Sequence, residues 1–221
     1  MTRRSTLLLL LFVLVGNLVQ GKDKYFPGYY LDAGNNKVAG FIYFNESNYD
    51  HFYFRAEPGG RESRIVVDQC NGFSYNNRNF VVLEDVHWQS SLWRNHARRA
   101  FAELLVDGPV KLYCVYREVN QPRPLTAAKS GMIATVGCYL LRKEGDYTYM
   151  ALADDEFKFR HQLAEYLKDN DALSQQLLKQ DSSTVNLAQV IVAYNKGAGL
   201  QSGSLQDAQP GGAPAGALKE R

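Results

Sequence analysis

The chain has 221 residues, with 25 Lys and Arg against 23 Asp and Glu, and 45% of its residues are hydrophobic. This length is enough for one domain with a sizeable core. Binding to nucleic acid requires a basic surface that displaces counterions from phosphates, and neither the net charge of +2 nor any local run supplies one. We therefore predict no nucleic-acid partner. The 14 tyrosines suit strands with one face partly exposed to solvent, since the ring packs while the hydroxyl reaches water.

Residues 1–21 have the three parts of an export signal peptide. Two arginines precede an apolar run over residues 7–15, and Val19 and Gly21 suit the positions before a cleavage site. The alternative is a retained membrane anchor, but the apolar run is shorter than the ~20 residues that span a bilayer. The sequence therefore predicts an exported mature chain from Lys22, periplasmic or extracellular, with balanced charge and no transmembrane span.

Short runs rich in β-branched and aromatic residues predict antiparallel strands over the first two thirds of the chain. Residues 28–45 indicate a hairpin with its turn at Gly34-Asn35-Asn36, because these residues tolerate positive φ. DHFYFRAE and RIVVDQ follow as strands. CNGFSYNNR, residues 70–78, indicates another turn before the strand NFVVLEDV.

The segment HWQSSLWRNHARR, residues 87–99, interrupts this pattern and concentrates His87, Trp88, Trp93 and His96. One interpretation is a ligand-binding platform, since indoles and imidazoles stack and hydrogen-bond. The other is a loop or short helix whose tryptophans cap one end of the core. The residue pattern alone leaves both open.

The stretch LVDGPVKLYCVY, residues 105–116, has two interpretations. Its Asp-Gly pair indicates a tight turn between two strands, whereas the apolar spacing before it also fits a helix over residues 98–106. Either way, residues 110–116 form a covered strand in which Cys114 is a packing residue.

Two more strands are predicted, MIATVGCYLLRK and TYMALA, and the strand signals end at Ala153. After Ala153 the spacing of apolar residues is that of a helix. Asp154 is the predicted N-cap of the first helix. A second helix is predicted over residues 171–179, and a third begins after Ser183 or Thr184 and stops at Asn195.

The fold class predicted from this order is α+β, with an antiparallel β-rich module, either a sheet or an open barrel, over residues 22–153. A helical segment over residues 154–196 packs on it. The composition of residues 197–221 predicts a disordered tail, because apolar residues are too sparse to offset the entropy of ordering.

The cysteines and charged pairs do not predict a catalytic site. Cys70, Cys114 and Cys138 could form one disulfide and leave one thiol, with three pairings open, and Cys70 is predicted to be the most exposed because it lies in a turn. Neither Cys-x-x-Cys nor histidines at short ligand spacing occur, so no metal or cofactor is predicted. Glu84 and Asp85 are expected on opposite faces of a strand.

Three phrases carry a resemblance to a known family: KVAGFIYF, then FAELLVDGPVKLY, then LAEYLKDNDALSQQLL with VIVAYN. Together they resemble exported bacterial envelope proteins of unknown function, in which a β-rich module with a Leu-x-x-Gly-x-x-x-Leu-Tyr phrase precedes helices ending in Tyr-Asn. Some relatives continue into an outer-membrane β-barrel, which implies association with the outer membrane. Here a flexible tail is expected instead after Asn195. The resemblance implies no catalytic residues.

The sequence thus favours a non-catalytic exported interaction or scaffold module whose partner is an envelope protein or surface component. The alternative is a secreted hydrolase or ligand-binding enzyme that uses His87, Trp88, Trp93 and His96. A third hypothesis is a redox-responsive protein that uses Cys70.

Overall fold

Ten antiparallel strands and three helices make up the computed structural model, which describes residues 24–89, 94–121, 132–153, 155–179 and 186–197. The strands are β1 Phe26–Asp32, β2 Lys37–Tyr43, β3 His51–Arg55, β4 Ser63–Val66, β5 Cys70–Tyr75, β6 Arg78–Gln89, β7 Arg94–Val106, β8 Val110–Gln121, β9 Met132–Lys143 and β10 Met150–Ala151. The helices are α1 Glu156–Tyr166, α2 Asp171–Lys179 and α3 Leu187–Asn195.

The strands form one open sheet in the order β10-β9-β8-β7-β6-β5-β1-β2-β3-β4. Strands β1 to β4 follow one another across the sheet, and a 3-10 turn, Val67–Gln69, then returns the chain so that β5 pairs with β1. Strands β5 to β10 continue outward from there. The predicted α+β class is confirmed. The β-rich module, predicted as a sheet or an open barrel, is an open sheet.

Residues with positive φ form the tight turns. In the β1–β2 hairpin Asn35 has φ 64°, and the Asp32 carboxylate accepts hydrogen bonds from the backbone N–H groups of Gly34 and Asn36, both at 2.8 Å. Asn76 and Asn77 have φ 49° and 59° between β5 and β6, as a type I′ hairpin requires. The predicted turn over residues 70–78 is therefore too long, because most of that stretch is strand β5.

The β7–β8 hairpin confirms the turn at Asp107-Gly108, and the helix over residues 98–106 is wrong. Phe101 and Ala102, which are consecutive in β7, are both buried and belong to different apolar clusters. Such a segment, covered on both faces of a sheet, carries a continuous apolar run that resembles a buried helix in sequence.

Three apolar clusters cover the sheet. The aromatic core consists of Ile42, Phe44, Phe52, Phe54, Val67, Cys70, Phe73, Tyr75, Phe80 and Phe101. The tryptophan core, on the opposite face of β6 and β7, consists of Leu83, Val86, Trp88, Ala97, Ala100, Ala102, Tyr113, Val115 and Leu140. The helix core joins Val106, Val110, Leu112, Leu141 and Leu152 of the sheet region to Leu163, Ala164, Leu167, Leu173, Leu177, Leu187, Val190 and Ile191 of the helical region.

The helices lie close to where the sequence predicts them. Asp155 caps α1 by accepting a hydrogen bond from Lys158 N at 2.9 Å, which corrects the predicted cap; Asp154 lies outside the described residues. Asn186 caps α3 in the same way through Gln189 N. Within the described part of the chain, no helix is both long and apolar enough to cross a membrane.

Candidate functional site

Two neighbouring strands bring a carboxylate and two imidazoles together on the surface. His87 of β6 pairs directly with His96 of β7 across the sheet. Their rings stack with centroids 4.4 Å apart and an interplanar angle of 26°. Asp85 Oδ1 lies 2.7 Å from His96 Nε2 and 3.3 Å from His87 Nε2. We call Asp85, His87 and His96 the histidine cluster.

A local change in strand alternation makes this cluster possible. Leu83 and Val86 are three residues apart in β6, yet both belong to the tryptophan core. Regular alternation would send them to opposite faces. Asp85, with φ 49°, lies between them. Its carboxylate therefore points to the same side as His87 instead of into the core.

Strand β7 changes alternation at the same level, because Ala97 and Ala100 also both face the tryptophan core. The cross-strand register is unchanged on either side of the switch, with Glu84 opposite Arg99 and Val86 opposite Ala97. Glu84 and Asp85 were expected on opposite faces, and this is wrong, because Leu83 and Val86 on either side of them both face the tryptophan core. Both carboxylates therefore lie on the other side, where Glu84 is 3.6 Å from Arg99 and Asp85 is 2.7 Å from His96.

The histidine cluster is polar and open to solvent. His87 and His96 side chains are 67% and 50% exposed. The hydrogen bond from His96 lowers the pKa of Asp85 below its ordinary value, and the adjacent His87 adds to this effect. Asp85 is therefore a carboxylate at neutral pH, with two ring nitrogens directed at it.

The structure separates the four residues of the predicted ligand region. His87 and His96 converge, whereas Trp88 points to the other side of the sheet, where it is 4% exposed and contacts Tyr49 edge-on at 5.4 Å. Trp93 lies outside the described residues. Residues 87–89 and 94–99 belong to strands β6 and β7, and not to the predicted loop or short helix. Because Trp88 is buried, it does not form part of a ligand-binding platform on the surface.

Spacing along the chain did not reveal the histidine cluster, because the two histidines are nine positions apart. Their proximity comes from the pairing of β6 with β7. The signal available in the sequence was Asp-x-His, residues 85–87, in a strand next to a second strand that also carries a histidine.

Within the described residues, Cys70, Cys114 and Cys138 form no disulfide bond with one another. Cys70 was expected to be the most exposed and is only 1% exposed, because it begins β5 with its side chain in the aromatic core. Burial raises the pKa of Cys70 to about 11 and that of Cys114 to about 12. Cys114 is a packing residue, and Gly137 leaves space for it, since a Cβ there would lie 2.6 Å from Cys114 Sγ.

A second polar cluster lies at the edge of the aromatic core. The Arg78 guanidinium donates two hydrogen bonds to Glu103, at 2.8 and 2.7 Å, and also bonds Glu46. The Tyr116 hydroxyl donates to Glu103 at 2.7 Å. These part-buried groups are hydrogen-bond partners of one another, and the bonds connect β6, β7 and β8.

Four tyrosines lie on the solvent side of the first three strands or directly before β1. They are Tyr25, Tyr29, Tyr43 and Tyr53, which we call the tyrosine face. Tyr43 and Tyr53 are cross-strand partners whose rings stack at 6.0 Å. Tyr25 lies 5.8 Å from Tyr43. Their neighbours in sequence, such as Ile42 and Phe52, point into the aromatic core on the other side.

Cations lie over three of these rings. Lys24 Nζ is 5.7 Å from the Tyr43 centroid and Lys37 Nζ is 3.9 Å from that of Tyr29. The Arg55 guanidinium is 3.9 Å from the centroid of Tyr25. The tyrosine face therefore combines part-exposed aromatic rings with positive charge.

The phrases FAELLVDGPVKLY and VIVAYN meet in space. A shallow depression of about 530 Å³ is lined by Pro109, Asp169, Asn170, Asp171, Tyr194, Asn195 and Gly197. It lies where the turn after β7 meets the end of α3. Asn195 bonds the backbone of Val110 there, so this region ties the helices to the sheet.

Comparison with known proteins yields no identification: no family model matches the chain, and no curated protein or solved structure matches it significantly. The resemblance to exported envelope proteins stays a prediction from the three phrases.

Proposed function

We propose that this protein is a non-catalytic interaction module of the bacterial cell envelope, exported by residues 1–21. Its partner is another envelope protein, which binds the tyrosine face. The signal-like N-terminus and the resemblance to envelope proteins support the location. The tyrosine face supports the mode of action and is the observation that carries the proposal.

The residue types of this face are those that dominate protein interfaces. Tyrosine and arginine are enriched at the centres of interfaces, because they bury large areas while keeping a polar group to pair. Tyr43 and Tyr53 lie on adjacent strands, so their positions are held by the sheet and little side-chain entropy is lost on binding. Lys24 and Lys37 favour a partner surface with carboxylates at its rim, whereas Arg55 already pairs with Glu62 at 3.5 Å.

The test is capture of partners from an envelope fraction with immobilised protein, followed by binding measurements with each purified partner. We expect the variant with Tyr43→Ala and Tyr53→Ala to bind the partner at least about tenfold more weakly. Tyr147→Ala is the matched control, because Tyr147 is 99% exposed and lies outside the tyrosine face. Equal affinity of the double variant and the unchanged protein would count against the proposal.

Export is tested separately. Fusion of residues 1–21 to a reporter that is active only outside the cytoplasm should give activity, and the exported chain should begin at Lys22. A reporter that stays inactive, or a chain that retains residues 1–21, would contradict the proposed location.

A ligand-binding role of the segment around His87 and His96 is the second candidate. The convergence of both imidazoles with Asp85 favours it. The exposure of the cluster favours binding over catalysis, because a solvated base gains little from its surroundings.

A further inference from the structure

We propose that the histidine cluster binds one divalent ion of the later first-row transition series, with Zn²⁺ as the reference ion. The site is separate from the tyrosine face, because it is built on β6 and β7, and it does not depend on the proposed envelope partner.

The geometry of the three ligands suits such an ion. One ligand atom from each of Asp85, His87 and His96 lies within 4.8 Å of the other two. In a tetrahedral zinc site with bonds of about 2.1 Å, ligand atoms are separated by roughly 3.4 Å. The distances from Asp85 Oδ1 to the two ring nitrogens, 2.7 and 3.3 Å, are already close to this value. Because the two rings stack with an interplanar angle of 26°, the imidazoles must rotate so that both ring nitrogens point at the ion, which replaces the hydrogen bond between His96 and Asp85.

The donor set selects the class of metal. Two neutral imidazoles and one carboxylate suit Zn²⁺, Cu²⁺, Ni²⁺ and Co²⁺, whereas Ca²⁺ and Mg²⁺ prefer oxygen ligands only. Three protein ligands also leave a coordination position for water. Because each side chain is at least half exposed, the ion reaches the site directly from solvent.

The backbone brings the three ligand residues to one surface before the ion binds. His87 and His96 are directly opposite each other in a paired sheet, where Cβ atoms are about 5 Å apart. Asp85 reaches the same face only through its left-handed backbone conformation, φ 49°. Such a conformation is costly for a residue other than glycine, and it is often found where function requires it.

The test is calorimetric titration of the tag-free full chain with ZnCl₂ after treatment with a chelator. We expect one equivalent to bind, and His87→Ala and His96→Ala each to weaken binding at least about tenfold, since each removes one of three ligands. Asp85→Asn is a conservative third variant, because Asn also tolerates the left-handed backbone, and it should weaken binding by a smaller factor. CaCl₂ is expected to give no saturable binding.

His161→Ala is the matched control, since His161 is an exposed histidine of α1 outside the cluster, and it should bind zinc like the unchanged protein. A readout that needs no variant is the NMR spectrum of the imidazole protons, in which His87 and His96 should shift on addition of zinc while His51 and His161 do not. Absence of saturable zinc binding, or unchanged affinity in His87→Ala and His96→Ala, would overturn the proposal.

Discussion

Asn195 bonds Val110 with both ends of its side-chain amide. Oδ1 accepts a hydrogen bond from Val110 N at 2.9 Å, and Nδ2 donates one to Val110 O at 2.8 Å, across 85 residues of chain. The last residue of α3 thus acts as a short extension of the sheet beside the first residue of β8. This contact links the Leu-x-x-Gly-x-x-x-Leu-Tyr phrase to the terminal Tyr-Asn phrase.

Replacing Asn195 with alanine should destabilise the protein by about 2 kcal/mol. The substitution leaves the N–H and C=O groups of Val110 unpaired, and Val110 is buried. Urea unfolding followed by circular dichroism measures the change. Gln175→Ala, on the exposed side of α2, is the control and should change the free energy of unfolding by less than about 0.5 kcal/mol.

Gly108→Ala should cost about 2 to 4 kcal/mol in the free energy of unfolding. A Cβ at this position would lie 2.5 Å from Asn195 Nδ2, and Gly108 has φ 152°. Gly145→Ala is the matched control, because its φ is also positive, 92°, but nothing lies within 4 Å of the added Cβ. It should cost about 1 kcal/mol.

The steric part of the Gly108 effect can be isolated in a double-mutant cycle. In the Asn195→Ala background the added methyl group no longer meets the amide, so the cost of Gly108→Ala should fall by at least about 1 kcal/mol. Strictly additive effects would mean that backbone strain alone explains the requirement for glycine.

Glu103→Gln should destabilise the protein by about 2 kcal/mol at neutral pH. Glu103 forms a part-buried ion pair with Arg78. Replacing its carboxylate with an amide leaves Arg78 with Glu46 as its remaining ionic partner. Chemical denaturation measures the loss. Lys168→Ala breaks the exposed pair with Glu165 instead and should have an effect below about 0.5 kcal/mol. Similar effects of the two variants would contradict a special role for the Arg78 network.

The buried thiol of Cys70 should make stability depend on alkaline pH. Its pKa is raised from 9.0 to about 11 by burial, so the unfolded chain loses this proton at lower pH than the folded protein does. The contribution of Cys70 is therefore fully present below pH 9.0 and is lost as the pH rises towards about 11.

Tyrosines also ionise in this pH range, so the measurement is a difference between two proteins. The free energy of unfolding of the unchanged protein should fall more steeply above pH 9.0 than that of Cys70→Ala. Parallel curves for the two proteins would show that Cys70 does not ionise differently on unfolding.

Local patterns were sufficient for much of the fold. Residues 171–179 form the predicted second helix, and the turns at Asn35 and at Asp107-Gly108 connect the predicted hairpins. These features depend on neighbours in the chain, because caps, turns and apolar spacing act over a few residues. The burial of Cys114 also follows from its place in a run that is apolar on both faces.

The sequence by itself determined the α+β class, most of the strands, the second helix and the C-terminal end of the third. Only the tertiary structure decided that β5 pairs with β1, that Cys70 is buried, and that Asp85 joins His87 and His96 on one surface. The physical reason is that each of these depends on which strands pair and in which register. Strand pairing is set by the packing of distant side chains. The change of alternation in β6, at Asp85 with its positive φ, and in β7 then decides which side chains face the core.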